Sequence, residues 1–170
     1  TILMVTHDRD LARRVTRTVI LSDGEIIEEY LARTFPSLTE EQLIRATSKL
    51  ELQKYSPGSI IIQEGTPQGR FYIITKGGVE VVLPSLDGQE IVVTSLGSGQ
   101  YFGEIELLRG GASIATIRAA PYTGVEVAAL DRETFTKLLA ESAPVREEID
   151  RIVQERIQEN IAGRRKVGNA

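Results

Sequence analysis

The segment from Tyr101 to Leu108 has the clearest capacity for chemistry, because a glycine and a glutamate open an apolar turn there. A short helix starting at Glu104 would offer free backbone N–H groups to an anion, and Gly103 would let the backbone approach it closely. A carboxylate repels a phosphate but accepts hydrogen bonds from sugar hydroxyls, which is the role expected of Glu104. The pattern predicts a sugar-phosphate site between this helix and a strand within residues 112–119.

Composition excludes several other chemistries. The chain has 170 residues, no cysteine and a single histidine, His7, which excludes disulfides, thiolate sites and histidine-pair zinc sites. A net charge of −4 argues against a nucleic-acid partner. No apolar run reaches the roughly 18 residues of a membrane span, so the expected location is cytoplasmic.

The first thirty residues are predicted to be a strand–helix–hairpin appendage. Thr1 to Thr6 is a continuous apolar run, typical of a strand buried in a parallel sheet. A helix capped by Asp8 or Asp10 would reach about Val15, and two short strands would flank the turn at Asp23-Gly24. This unit needs a sheet that the rest of the chain does not supply, so we expect it to be the cut end of a larger domain.

The remainder is predicted to be mainly β with flanking helices. Residues 30–40 are interpreted as a connector stopped by Pro36, and a helix begins at Thr39. Glycine-interrupted alternation between residues 52 and 130 predicts six or more strands, with turns at Gly77-Gly78 and Asp87-Gly88.

Two helices are predicted at the carboxyl end. Asp131 or Thr134 opens the first, and the second is an amphipathic helix that follows Pro144 and ends near Gly163. The basic residues beyond it complement the helix dipole, and a membrane-surface or acidic-partner role stays open. The apolar positions of the second helix are Val145, Ile149, Ile152, Val153, Ile157 and Ile161.

Residues 38 to about 160 resemble the cyclic-nucleotide-binding domain family, which includes the catabolite activator and the regulatory subunits of cAMP-dependent kinase. The resemblance implies an eight-stranded β-roll with one amino-terminal helix and carboxyl-terminal helices, occupying residues 38–170. The matching features, in order, are the helix 38–50, Tyr55–Gly58, Glu64-Gly65, Phe71–Ile74 before Gly77, Leu96-Gly97, Tyr101–Glu104, and the helix 131–139 with its long successor.

The same resemblance implies that cAMP or cGMP binds in a cassette between the Phe-Gly-Glu turn and the next strand. The residues that would line it are Gly103, Glu104, Ile105, Ser113, Ile114 and Ala115.

The cassette departs from the family pattern where the cyclic phosphate would bind. Ser113 stands where the family has an arginine, and Ala112 stands for the proline before it. A serine gives one neutral hydrogen bond in place of a charged bidentate clamp. Arg109 either compensates or is solvated. Glu106 either adds harmful charge or faces water. Binding of cAMP or cGMP and a degenerate or differently liganded cassette therefore both stay open.

Residues 1–29 resemble the end of an ATP-binding cassette transporter ATPase. The matching residues are Val5–Asp8, Leu11-Ala12 and Val19–Ile26, and the resemblance makes His7 the switch histidine that contacts the γ-phosphate of ATP. The chain has no phosphate-binding loop, so it is expected not to be an enzyme, with ATP bound only by the full-length protein. Leu96–Gln100 is similar to the transporter signature but lies inside the predicted roll.

Two hypotheses follow. In the first, residues 30–37 link the ATPase to a regulatory sensor domain that binds a cyclic nucleotide and modulates the ATPase. The partners would then be a transporter membrane subunit and a second copy of the chain, at the inner face of the membrane. In the second, the domain is ligand-free and serves for dimerisation through its last helix, or for contact with another protein, because Ser113 replaces the arginine.

Overall fold

A computed structural model describes residues 4–6, 14–15, 17–22, 24–84 and 90–168. The predictions for His7, the capping aspartates of the first helix and the Asp87-Gly88 turn lie outside these residues. Residues 4–6 form no strand and Val5 is 90% exposed, so the buried strand predicted there is wrong for those three residues. A strand needs a neighbouring strand for its ladder hydrogen bonds, and none of the described strands pairs with residues 4–6.

The predicted hairpin is confirmed. Strands β1 (Val19–Ser22) and β2 (Glu25–Glu28) pair antiparallel, and Gly24 between them has a φ of +86°. The connector predicted after it is wrong, because α1 (Glu29–Thr34) follows β2 directly. Leu31 and Phe35 are one helical turn apart and fully buried, so packing against the core forms a helix that is too short to be stable alone.

The helix predicted from Thr39 is confirmed as α2 (Glu40–Thr47). Thr39 and Gln42 form a capping box, in which Gln42 N donates to Thr39 Oγ1 and Thr39 N donates to Gln42 Oε1. Gln42 Nε2 also donates to the carbonyl of Glu141, which ties α2 to the carboxyl-terminal helices.

Among the described residues seven strands form one curled antiparallel sheet, which confirms the predicted β-roll with one strand fewer than the eight that the resemblance implies. Its hydrogen-bonded order is β3-β9-β5-β8-β4, and β6 and β7 also pair with β5. The strands are β3 (Glu51–Tyr55), β4 (Ile60–Ile62), β5 (Arg70–Pro84), β6 (Glu90–Gly97), β7 (Tyr101–Phe102), β8 (Thr116–Ala119) and β9 (Val125–Asp131).

Strand β5 is long enough to pair with strands in both halves of the roll. Its first half pairs with β7 and β9, and its second half pairs with β6 and β8. Gly77-Gly78 lies inside this strand, so the turn predicted there is wrong. Gly77 has a φ of +76° and faces the Gly124 backbone, which leaves no room for a Cβ. The pair therefore bends the strand.

The alternation of side chains along β5 separates two cores. Phe71 belongs to the core beneath the helices and stacks on Phe135, with ring centroids 4.4 Å apart. Tyr72 belongs to the interior of the roll and stacks on Phe102, with centroids 4.8 Å apart. The β5–β7 pairing thus places the turn after Phe102.

Three helices complete the described fold: α3 (Glu104–Arg109), α4 (Arg132–Glu141) and α5 (Ala143–Gly168). Asp131 Oδ1 accepts from Thr134 N, which confirms the predicted cap of α4. Helix α5 extends past the predicted end near Gly163. No helix in the described ranges is long and apolar enough to cross a membrane.

The apolar face of α5 packs on its own chain. Val145, Ile149 and Val153 are each at most 2% exposed. The dimerisation hypothesis assigned this face to a second copy of the chain. The structure instead buries most of it within the protomer.

Candidate functional site

A cavity of about 310 Å³ lies between the β7–α3 turn, β6 and α5. All six residues predicted to line the cassette lie around it, so the structure brings together what the sequence places in two separate segments. Their role in holding a ligand stays a prediction. The six residues are Gly103, Glu104, Ile105, Ser113, Ile114 and Ala115.

Gly103 fixes the direction in which α3 leaves the sheet. Its φ is +87°, in the left-handed region that favours glycine. A Cβ added there would lie 2.5 Å from the carbonyl oxygen of Arg70. Only glycine therefore lets the chain turn this closely under β5 and direct the first residue of α3 into the cavity.

Glu104, the first residue of α3, is a buried carboxylate with one unpaired oxygen. The residue is 1% exposed, and its Oε1 lies 2.6 Å from Arg156 Nη1. Its Oε2 is buried without a hydrogen-bond partner among the described residues. Burial raises the pKa of the Glu104 carboxyl, and the Arg156 guanidinium opposes the rise. One acceptor thus remains for a donor that enters the cavity.

Arg156 is a site residue that the sequence analysis missed. It lies on α5, donates to the Tyr101 carbonyl at 2.7 Å and stands 5.1 Å from the centroid of the Tyr101 ring. Its position, three residues after Val153 and seven after Ile149, places it on the buried stripe of α5. This helical spacing is the sequence signal from which Arg156 could have been predicted as a buried residue.

Replacing Arg156 with methionine is expected to destabilise the folded chain by about 3 kcal/mol at pH 8, because Glu104 would be buried without its cation. The loss should shrink as the pH falls towards 5. A carboxyl whose folded pKa lies above its unfolded pKa binds its proton more tightly when folded, so stability is gained as the pH falls through the folded pKa. Urea denaturation between pH 5 and pH 8 measures the effect.

Arg151→Met is the matched control, since Arg151 lies on the same helix but is exposed and forms an exposed ion pair with Glu155. It should cost at most about 0.5 kcal/mol and show no such pH dependence. Equal losses in the two variants at every pH would contradict the assigned role of the Glu104–Arg156 pair.

Glu106 lies beside the hydrogen-bond donors that an anion in the cavity would use. Its Oε1 accepts from Ile114 N at 3.2 Å and lies 3.0 Å from Ser113 Oγ, whose one hydroxyl proton also has the Ala115 carbonyl within reach at 2.8 Å. Glu106 is 5% exposed, so the interpretation that it faces water is wrong. The donors that could have met a phosphate already serve a carboxylate of the chain itself.

The charge around the cavity also disfavours an anion. Arg156 is the only cationic side chain among the described lining residues, and it is already paired. Arg109 lies exposed on the surface, as expected of a solvated residue. The lining carboxylates are Glu104, Glu106, Glu155 and Glu159.

A curled antiparallel roll, a glycine turn into a short helix, and a long helix closing a polar cavity define a class of small-molecule-binding domain. The family described as "Cyclic nucleotide-binding domain" matches residues 52–142, more than half of the chain. The chain belongs to the cyclic nucleotide-binding domain family.

Individual proteins of known role are also similar to this chain. The chain is 34% identical over 134 residues to a cAMP-dependent protein kinase regulatory subunit of Colletotrichum orbiculare, covering 78% of this chain and 33% of that protein. It therefore spans about a third of that relative.

Two solved structures are also similar. One is the regulatory subunit of a cAMP-independent protein kinase A from Trypanosoma brucei, in a triply substituted form bound to cAMP in its A site (TM-score 0.67, 28% identity, 78% of this chain and 49% of that chain). The other is the corresponding subunit from Trypanosoma cruzi bound to guanosine (TM-score 0.65, 28% identity, 74% and 44%).

Proposed function

We propose that this chain is a ligand-sensing domain whose cassette binds an uncharged purine nucleoside in preference to a cyclic nucleotide. The observation that carries the proposal is the Glu106 carboxylate, which takes the hydrogen bonds of Ser113 and Ile114 N. A cyclic phosphate brought to the same place would meet a like charge and no free cation. A nucleoside has the ribose and base but not that charge.

The trypanosomal relatives support this preference. In the T. brucei form that carries cAMP, a glutamate, a threonine and a valine are replaced by alanine, arginine and alanine. The glutamate precedes the threonine by seven positions and the valine follows it directly, the same spacing as Glu106, Ser113 and Ile114. The T. cruzi relative is bound to guanosine.

Glu104 would hold the ribose. Its Oε2 is buried and unpartnered among the described residues, and ribose hydroxyls are donors that fit a carboxylate. Because the other oxygen of the same carboxylate, Oε1, pairs with Arg156, a ribose bound at Oε2 would be coupled to that pair and bias the position of α5. Helix α5 is then the element through which occupancy is transmitted.

A thermal-shift screen of this chain tests the proposal. Guanosine, adenosine and inosine are compared with cAMP and cGMP at equal concentrations. A ligand at about 100 times its Kd adds about 2.7 kcal/mol, or roughly 5–10 °C in Tm. We expect the larger shifts from nucleosides. Larger shifts from cAMP or cGMP would favour the cyclic-nucleotide sensor that the family resemblance implies, and no shift from any compound would favour a ligand-free interaction module.

The interaction module is favoured by Ser113 in place of an arginine. Against it stands Glu104 Oε2, a buried acceptor without a partner among the described residues, which a donor of a bound ligand would satisfy at a gain of about 1–3 kcal/mol. Homodimerisation remains a proposal under either function, to be tested by sedimentation.

We propose further that the sensed ligand regulates an ATP-binding cassette transporter ATPase at the inner face of the membrane, with a transporter membrane subunit as partner. The support is the order of Val5–Asp8 and Val19–Ile26 in the sequence. The test is the ATPase rate of the full-length protein with and without nucleosides. A rate unchanged by every ligand that binds the cassette would reject this regulation while leaving the binding proposal intact.

A further inference from the structure

Arg132 joins two segments of the chain that lie beside the cavity. It is the first residue of α4, directly after the cap Asp131, and it is exposed. Its Nη2 donates to the Gln68 carbonyl at 2.6 Å, and its Nη1 donates to the Leu107 carbonyl at 3.3 Å. Gln68 belongs to the β4–β5 connection and Leu107 to α3, so one guanidinium bridges both segments.

The bridge reaches α3 at its carboxyl end. The last carbonyls of a helix have no partner within it, and a cation beside them also meets the negative end of the helix dipole. Helix α3 has six residues, too few to be stable without contacts from the rest of the fold. Gly103 fixes the start of α3, where Glu104 enters the cavity, and Arg132 holds its end.

The bridge also reaches the loop 110–115, which carries Ser113 on the other side of the cassette. Gly65 N donates to the Ser113 carbonyl, and Ser113 N donates to the Thr66 carbonyl, both at 2.8 Å. Gln68 follows Thr66 by two residues. The hydrogen bond from Arg132 to Gln68 therefore ties α4 to the segment that holds the Ser113 backbone in place.

We propose that Arg132 is a positioning residue that fixes α3 and the loop 110–115 relative to each other. The inference deepens the proposed function and rests on it, because these two segments carry the residues expected to meet the ligand. Arg132 itself does not line the cavity, so it would act on a ligand only through the residues that it holds. A binding site keeps its contacting groups within about 0.5 Å of their productive positions, which two short, separate segments need a bridge to achieve.

Hydrogen exchange of the ligand-free chain tests the bridge. In Arg132→Met, which keeps an unbranched side chain and removes every donor, exchange across residues 104–116 should become about 10-fold faster, the lower end expected for hydrogen bonds from a charged donor. Exchange in β5 should not change, because a local opening leaves the rest of the fold intact. Lys137→Met is the matched control, since Lys137 is an exposed cation on the same helix, and it should leave both segments as in the parent.

Arg132→Lys separates the bridge from its charge. Lysine keeps a cation beside the end of α3 but lacks the planar fork that serves two carbonyls at once. Exchange across residues 104–116 should therefore remain at least about 3-fold faster than in the parent. Exchange equal to that of the parent would reduce Arg132 to a charge at the end of a helix and overturn the bridge.

Isothermal titration of guanosine connects the bridge to the ligand. Arg132→Met should weaken binding by about 5-fold, the equivalent of one neutral hydrogen bond, and Lys137→Met should bind as the parent does. Unchanged exchange across residues 104–116, or unchanged affinity despite faster exchange, overturns the positioning role and leaves the nucleoside proposal standing. If the parent binds no nucleoside, the proposed function falls, and the exchange rates still decide whether Arg132 fixes the two segments. Circular dichroism checks that each variant is folded.

Discussion

Replacing Glu106, Ser113 and Ile114 together by alanine, arginine and alanine is expected to raise the affinity of the chain for cAMP at least about 100-fold. The arginine supplies a bidentate, charged clamp, and each charge-assisted hydrogen bond contributes about 1.5–3 kcal/mol. Removing the Glu106 carboxylate takes away the acceptor that the residue 114 N–H now serves and deletes a like charge beside the phosphate. Isothermal titration of cAMP into the parent and the triple variant measures the gain.

Ser113→Arg alone should give a much smaller gain, because Glu106 lies within hydrogen-bond reach of position 113 and would pair with the new guanidinium. Ser98→Arg places the same residue in an exposed turn and serves as the matched control. A folded triple variant that binds cAMP no better than the parent would contradict the assignment of these residues as the barrier to the phosphate.

Glu104→Gln is expected to weaken nucleoside binding by about 10- to 150-fold. The substitution keeps the size of the side chain but replaces a charged acceptor by a neutral amide, losing one charge-assisted hydrogen bond to the ribose. The effect should be large because Glu104 is 1% exposed and water cannot replace the lost acceptor. Titration of guanosine into the parent and the variant gives the ratio.

A deoxynucleoside provides the control for that prediction. 2′-Deoxyguanosine lacks one of the two ring hydroxyls that could donate to Glu104; if the 2′-hydroxyl is that donor, the compound should bind the parent weakly and lose little further affinity in Glu104→Gln. Equal losses for guanosine and 2′-deoxyguanosine would show that Glu104 acts only by stabilising the fold. Such a result would remove it from the ribose site.

Much of the fold follows from local sequence signals. Three features are each specified by a few adjacent residues, and all three are found in the structure. They are the capping box at Thr39, the cap at Asp131 and the β1–β2 hairpin. Helix α1 was not predicted because Leu31 and Phe35 provide only one pair of apolar positions. Its stability comes from the core that it enters, which a local pattern does not contain.

The candidate site was predictable where its residues are close in sequence. Gly103 to Ile105 and Ser113 to Ala115 were identified through the family resemblance of two nearby segments and lie around one cavity. Arg156 was missed because it meets Glu104 across a sequence separation of 52 residues. The inward direction of Glu106 depends on hydrogen bonds to the loop that follows α3, so its residue type alone did not reveal it.

The affinities of guanosine and cGMP, measured by isothermal titration on this chain in one buffer, test the central claim most directly. The two ligands share base and ribose and differ only in the cyclic phosphate, which the Glu106 carboxylate would oppose. We predict that guanosine binds at least about 10-fold more tightly than cGMP. Tighter binding of cGMP would contradict a cassette built for an uncharged ligand.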